Sequence, residues 1–262
     1  MPEFTKTEHR RKSSVPASIW FAFGVLIVFF YFFGLTIPLL GPDEARYAQV
    51  AREMFERGDW ITPTLGGFYW FEKPALLYWL QIASYNLFGV NEFAARFGSA
   101  LCGLGVIACM WLLGRSAVRS EGPAQQPQVL SSDFGKWLAL ITASTLGIMV
   151  FARGASFDIA ITSPITASIV SFFIFEQSRE RVVGRYLALA LFYVFIGLGL
   201  LAKGLIGAVF PIAIVSLFYL LSWRRPPAAF LFSLGWGGVL AIAIAAIWYW
   251  PMYIRHGYEF LD

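Results

Sequence analysis

Ten ionisable residues stand at the edges of long apolar blocks: Asp43, Glu44, Arg46, Glu72, Lys73, Arg153, Asp158, Lys203, Arg255 and His256. Charge at such a boundary is cheap to hold, so any one of them reads first as an anchor. Asp158 and Lys203 are harder to dismiss, because they abut apolar runs where unpaired charge is costly and usually functional. Taken together, the set suits a lipid-linked phosphate. Arg46, Lys73 and Lys203, with Arg153 and Arg255 as further cations, are the residue types that hold phosphate oxygens through charge-assisted hydrogen bonds. Asp43, supported by Glu44, could accept a proton from an acceptor hydroxyl. Glu72, Asp158 and His256 are hard or borderline ligands suited to a divalent cation. None of these spacings specifies its chemistry alone.

The elements that must position these residues are membrane helices. Of 262 residues, 58% are hydrophobic and 14% charged, against roughly 25% charged in a soluble domain. The apolar residues fall in long blocks, which excludes a single soluble core and gives an all-α integral membrane protein. The net charge of +4 comes from basic residues between those blocks, where they set topology; no nucleic-acid motif accompanies them. Seven spans are expected, over Ser18–Leu40, Glu92–Gly114, Gly135–Phe151, Ile159–Phe175, Tyr186–Ala202, Leu205–Leu221 and Phe230–Ile254. A single helix over Tyr186–Leu221 would measure about 54 Å, too long for a hydrocarbon core of about 30 Å, so a tight hairpin is expected at Lys203-Gly204. Cys102 and Cys109 lie seven residues apart in one block, about 10 Å along a helix, too far to bridge.

With the N-terminus inside, twelve of the twenty basic residues face the cytoplasm, notably Arg179 to Arg185 and Arg224-Arg225, while the short outer turns carry only Arg153 or Lys203. Residues 1–17 are then a basic cytoplasmic tail, 18–254 the membrane module and 255–262 an outer tail. The first outer loop, 41–91, carries two juxtamembrane helices. Asp43 and Glu44 open the first, and Gly58 ends it. Tyr47, Val50, Ala51 and Met54 form an apolar stripe opposite Arg46, Gln49, Glu53 and Arg57, as in a helix lying on a membrane surface. Pro74 starts the second, whose apolar run of about 14 residues suits an interfacial or re-entrant helix.

The ordered motifs of this loop carry a resemblance. Gly-Pro-Asp-Glu-Ala-Arg-Tyr (41–47), Ala-Arg-Glu-Met (51–54), Gly-Asp-Trp (58–60), Phe-Glu-Lys-Pro-Ala-Leu-Leu-Tyr-Trp (71–79) and Phe-Gly-Val-Asn-Glu-Phe-Ala-Ala-Arg (88–96) resemble the first outer loop of the membrane-embedded GT-C glycosyltransferases. That class includes the lipid A aminoarabinose transferase and the protein O-mannosyltransferases. Weaker echoes follow at Arg153–Asp158, Leu201–Gly204 and Tyr249–Asp262. The resemblance implies transfer of a sugar from a polyprenyl phosphate to a lipid or protein acceptor outside a bacterial inner membrane, without a nucleotide cofactor. It implies Asp43 as the base, Arg46, Lys73 and Lys203 on the donor phosphate, and Glu72, Asp158 and His256 at an acceptor or metal site. Members are considerably longer, so the expectation is of their N-terminal catalytic module. The competing class is a transporter or lipid-binding subunit, for which matched repeats and broken helices would be the sign; none is found.

Overall fold

In a computed structural model, the described residues, 15–120, 132–178 and 182–260, form ten α-helices and one small β-hairpin. Lys6 to Lys12, Arg179, Arg181 and the last two residues, all of which entered the topology expectation, lie outside them. The helices are α1 (Ala17–Phe32), α2 (Gly41–Arg57), α3 (Leu76–Phe88), α4 (Glu92–Ser120), α5 (Phe134–Ser144), α6 (Leu146–Ala152), α7 (Phe157–Gln177), α8 (Val182–Lys203), α9 (Ile206–Leu221) and α10 (Ala228–His256). Strands β1 (Thr64–Leu65) and β2 (Phe68–Tyr69) pair antiparallel. Among the described residues, α4, α7, α8 and α10 are long and apolar enough to cross a membrane. The pair α5–α6 makes a fifth candidate, bent by 65°. Helices α1 and α9 are apolar but only 16 residues each.

Two expected spans differ in their course. The first does not run to Leu40. Helix α1 stops at Phe32, Gly34 turns the chain at φ 73°, and an irregular stretch leads through Pro38 to α2. The third is broken at Thr145. The hydroxyls of Ser144 and Thr145 both donate to the Ile141 carbonyl, at 3.0 and 2.9 Å, and such bonds compete with the helical ladder.

The segment between α1 and α4 follows its local signals. Pro42 and two acids open α2, and Gly58 closes it in the left-handed region at φ 63°. The apolar stripe of α2, however, does not face lipid. Tyr47, Val50, Ala51 and Met54 are buried against Leu77, Tyr78 and Ile82 of α3, Ala94 and Ala95 of α4, and Phe157 and Ala160 of α7. The two juxtamembrane helices therefore stack on the bundle. Between them, Gly66 and Gly67, with φ 62° and 82°, make the hairpin turn, the left-handed pair that a two-residue turn of matching twist needs. The Glu53 carboxylate fixes that turn by accepting from Gly66 N, Gly67 N and Thr64 Oγ1. At the Lys203-Gly204 hairpin, α8 and α9 approach so closely that a Cβ on Gly207 would lie 2.1 Å from the Gly199 carbonyl carbon.

Candidate active site

A cavity of about 650 Å³ opens where the end of α1, the start of α2, the turn before α3, the α6–α7 junction and the end of α8 meet. Eight of the ten expected residues line it: Asp43, Glu44, Arg46, Glu72, Lys73, Arg153, Asp158 and Lys203. They come from sequence positions 160 residues apart at the extremes, so the clustering is a product of the fold.

Three ion pairs form its polar wall. Asp43 and Arg46, one turn apart in α2, are paired directly. Arg46 also lies 5.7 and 5.5 Å from the ring centres of Tyr47 and Trp70, which restrict its guanidinium. Lys73 Nζ sits 3.0 Å from Glu72 Oε1. Lys203 Nζ donates to Asp158 Oδ1 at 2.7 Å. This last pair bridges the start of α7 and the end of α8, the helix ends that favour an acid and a base respectively. Ser156 caps α7 by accepting from Asp158 N at 3.1 Å.

Glu44 belongs to the frame. It is 8% exposed and its partner Arg96, at the end of the last loop motif, 1%. Arg96 Nε and Nη2 donate to the two Glu44 oxygens at 2.7 and 2.9 Å. The remaining Arg96 donors reach the carbonyls of Leu35, Ile37 and Pro38. Glu44 also accepts from Leu40 N at 2.6 Å and Ala155 N at 2.9 Å. Burial alone raises the Glu44 carboxyl, but the Arg96 hydrogen bonds and the two amides outweigh it and hold the group below its ordinary value. The pair thus clamps the irregular 35–40 segment, the start of α2 and the α6–α7 junction, which carry Asp43, Arg153 and Asp158. Arg96 ends the motif at 88–96, and nothing in the spacing of that motif assigns it a role. The available signal was a lone arginine inside an otherwise apolar run of α4.

Arg153 is likewise engaged. Its guanidinium donates to the carbonyls of Phe30 and Phe33 at 2.9 Å each, closing the C-terminus of α1 as basic side chains commonly do. It lines the cavity as a cation balanced by carbonyls. Arg255 and His256 do not line it. Arg255 Nη1 lies 2.8 Å from Asp59 Oδ1, and His256 Nε2 lies 2.9 Å from Thr62 Oγ1, with its ring against Tyr69 and Phe71. With Trp248 Nε1 on the Ile61 carbonyl at 2.8 Å, these contacts staple the end of α10 to the loop. The residues do not fit a divalent cation as arranged. Glu72 is paired with Lys73, His256 with Thr62, and no group of three potential ligands occurs among the described residues.

Five basic and four acidic side chains thus line one cavity. With Glu44 and Arg96 closed on each other, the balance suits a single anionic group. Its volume falls within the roughly 300–1,000 Å³ of small-ligand sites.

Residues 39–254 match the model of the dolichyl-phosphate-mannose-protein mannosyltransferase family. The chain is 34% identical over 260 residues to the undecaprenyl phosphate-alpha-4-amino-4-deoxy-L-arabinose arabinosyl transferase of Edwardsiella ictaluri, across 93% of this chain and 44% of that protein. It is also similar to crystal structures of ArnT from Cupriavidus metallidurans. The apo state superposes with a TM-score of 0.80 at 23% identity, over 93% of this chain and 43% of that one. The state bound to undecaprenyl phosphate gives 0.74 at 25% identity, over 94% and 44%. The chain therefore spans less than half the length of these relatives. Its match to the family model covers most of its own length, and on that ground it belongs to the dolichyl-phosphate-mannose-protein mannosyltransferase family.

Proposed function

We propose that the chain carries the catalytic module of a glycosyltransferase that passes a sugar from a polyprenyl phosphate to an acceptor at the periplasmic face of a bacterial inner membrane. One observation carries this reading: the cavity gathers Asp43 and the cations Arg46, Lys73 and Lys203 from three separate elements onto one surface. The similar ArnT chain crystallised with undecaprenyl phosphate supports that ligand class. The name of the arabinosyl transferase relative gives a donor of the same class, a sugar on undecaprenyl phosphate, and the acceptor is read as a lipid A-like lipid or a protein. In the proposed architecture α1, the bent α5–α6 pair and α9 cross the membrane with α4, α7, α8 and α10, giving seven crossings and placing the loop between α1 and α4 outside.

In this scheme the acceptor oxygen forms a bond to the anomeric carbon as the bond from that carbon to the donor phosphate breaks, and polyprenyl phosphate leaves. Arg46, Lys73 and Lys203 hold the phosphate and stabilise its growing charge. Asp43, exposed at the cavity mouth, takes the proton of a hydroxyl acceptor; with an ionised phosphate acceptor it positions the nucleophile instead. The test is Asp43→Asn in the longest natural form of the protein, assayed with a synthetic polyprenyl-phosphate sugar. Asn serves a helix N-terminus about as well as Asp, so a structural role leaves transfer intact. A catalytic role lowers turnover by about 10²–10⁴-fold in a folded protein. Near-normal transfer by the variant removes Asp43 from the chemistry.

A further inference from the structure

Three cations of the cavity face it already neutralised. Arg46 is paired with Asp43, Lys73 with Glu72 and Lys203 with Asp158, and all six side chains line the same space. These pairs are partly exposed, and pairs of that kind resist opening by no more than about fivefold. A charge-assisted bond to a phosphate oxygen is worth about ten- to a hundredfold. Exchange of carboxylate for phosphate is therefore favourable at each position. The Glu44–Arg96 pair differs in kind, since it is buried and both Glu44 oxygens are held from three directions. Arg46 offers something more: its Nε is buried and has no partner among the described residues. An incoming anion can engage a donor that Asp43 leaves unused.

We propose that Asp43, Glu72 and Asp158 act as resident counter-anions, occupying the phosphate ligands until the donor displaces them. The proposal rests on the reading of the cavity as a polyprenyl-phosphate site. It deepens that reading by making donor binding an anion exchange. Asp43 gains most from this. It is tied to Arg46 while the cavity is empty, and phosphate arriving at Arg46 releases the carboxylate beside the group to be transferred. The base is thereby uncovered only when a sugar is in place, and the donor binds before the acceptor.

The prediction has an unusual sign. Removing a negative charge from a catalytic pair should tighten binding of the donor's lipid phosphate while slowing transfer. The experiment measures equilibrium binding of undecaprenyl phosphate to the longest natural form of the protein in nanodiscs. Wild type, Asp43→Asn, Glu72→Gln, Asp158→Asn and Lys73→Ala are compared, with thermal melting to confirm that each is folded. Asp43→Asn is expected to bind about two- to fivefold more tightly, with Glu72→Gln and Asp158→Asn moving the same way. Lys73→Ala is expected to bind about ten- to a hundredfold more weakly. Unchanged or weaker binding by folded Asp43→Asn, with Lys73→Ala still impaired, overturns the exchange and leaves the phosphate reading standing. Equal binding by wild type and Lys73→Ala overturns the phosphate reading, and the exchange with it.

Discussion

Asp43 and Glu44 are neighbours in sequence and both border the cavity, yet Asp43 is exposed at its mouth while Glu44 is buried in its pair with Arg96. Successive helical residues are rotated by about 100°, so an adjacent pair at a helix start sends its side chains in different directions. Asp43 therefore stands at the cavity mouth, while Glu44, expected to support it, is closed on Arg96. The signals that assign Glu44 are an arginine 52 residues away and an amide 111 residues away, which no local spacing encodes. The buried pair has a measurable signature. Removing one member of such a pair typically costs about 3–5 kcal/mol, so Glu44→Gln is expected to melt well below wild type at neutral pH. Because the Glu44 carboxyl is held below its ordinary value, its contribution is complete above about pH 4.3 and is lost as pH falls through the depressed value. The variant should therefore lack the part of the acid destabilisation that wild type shows below that pH, measured as melting temperature against pH.

At the scale of elements, the long apolar helices and the two helices of the first loop were readable because their punctuation is strong: Pro42, Gly58, Pro74 and Gly204 stand where helices begin or end. The early stop of α1 and the break at Thr145 were not. The stop depends on carbonyls that Arg96 and Arg153 collect from distant helices, and the break depends on hydroxyls that apolar periodicity ignores. The α8–α9 turn shows how an element serves the site, since Lys203 stands at its start. Valine at Gly207 would collide with the Gly199 backbone and is expected to cost about 1–3 kcal/mol. It should also weaken undecaprenyl phosphate binding by displacing Lys203. Gly235→Ala on α10, where an added Cβ meets nothing within 4 Å, is the control and is expected to stabilise slightly. Equal melting temperatures for the two variants would show that the close approach is not needed.

At the scale of the whole molecule, the proposed seven crossings set every loop on a definite side. In a background with Cys102 and Cys109 replaced, Phe68→Cys at the exposed hairpin should react with an impermeant thiol reagent added to intact cells. Ser222→Cys, between α9 and α10, should react only after the inner face is opened. The reverse pattern would place the cavity in the cytoplasm and end the periplasmic assignment. The expected orientation rests on the basic residues of the sequence alone, whereas the joining of the first loop to the end of α10 is not encoded in any local spacing. That joining also has a consequence in time. Asp59 meets Arg255, Thr62 meets His256 and Ile61 meets Trp248 across 196, 194 and 187 residues. At roughly 5–20 residues per second of synthesis, the loop that bears Glu72 and Lys73 waits about 10–40 seconds after its own translation before α10 exists to hold it. During that interval the ribosome is still extending the chain, and the loop stands unfastened before whatever proteases and chaperones share its compartment.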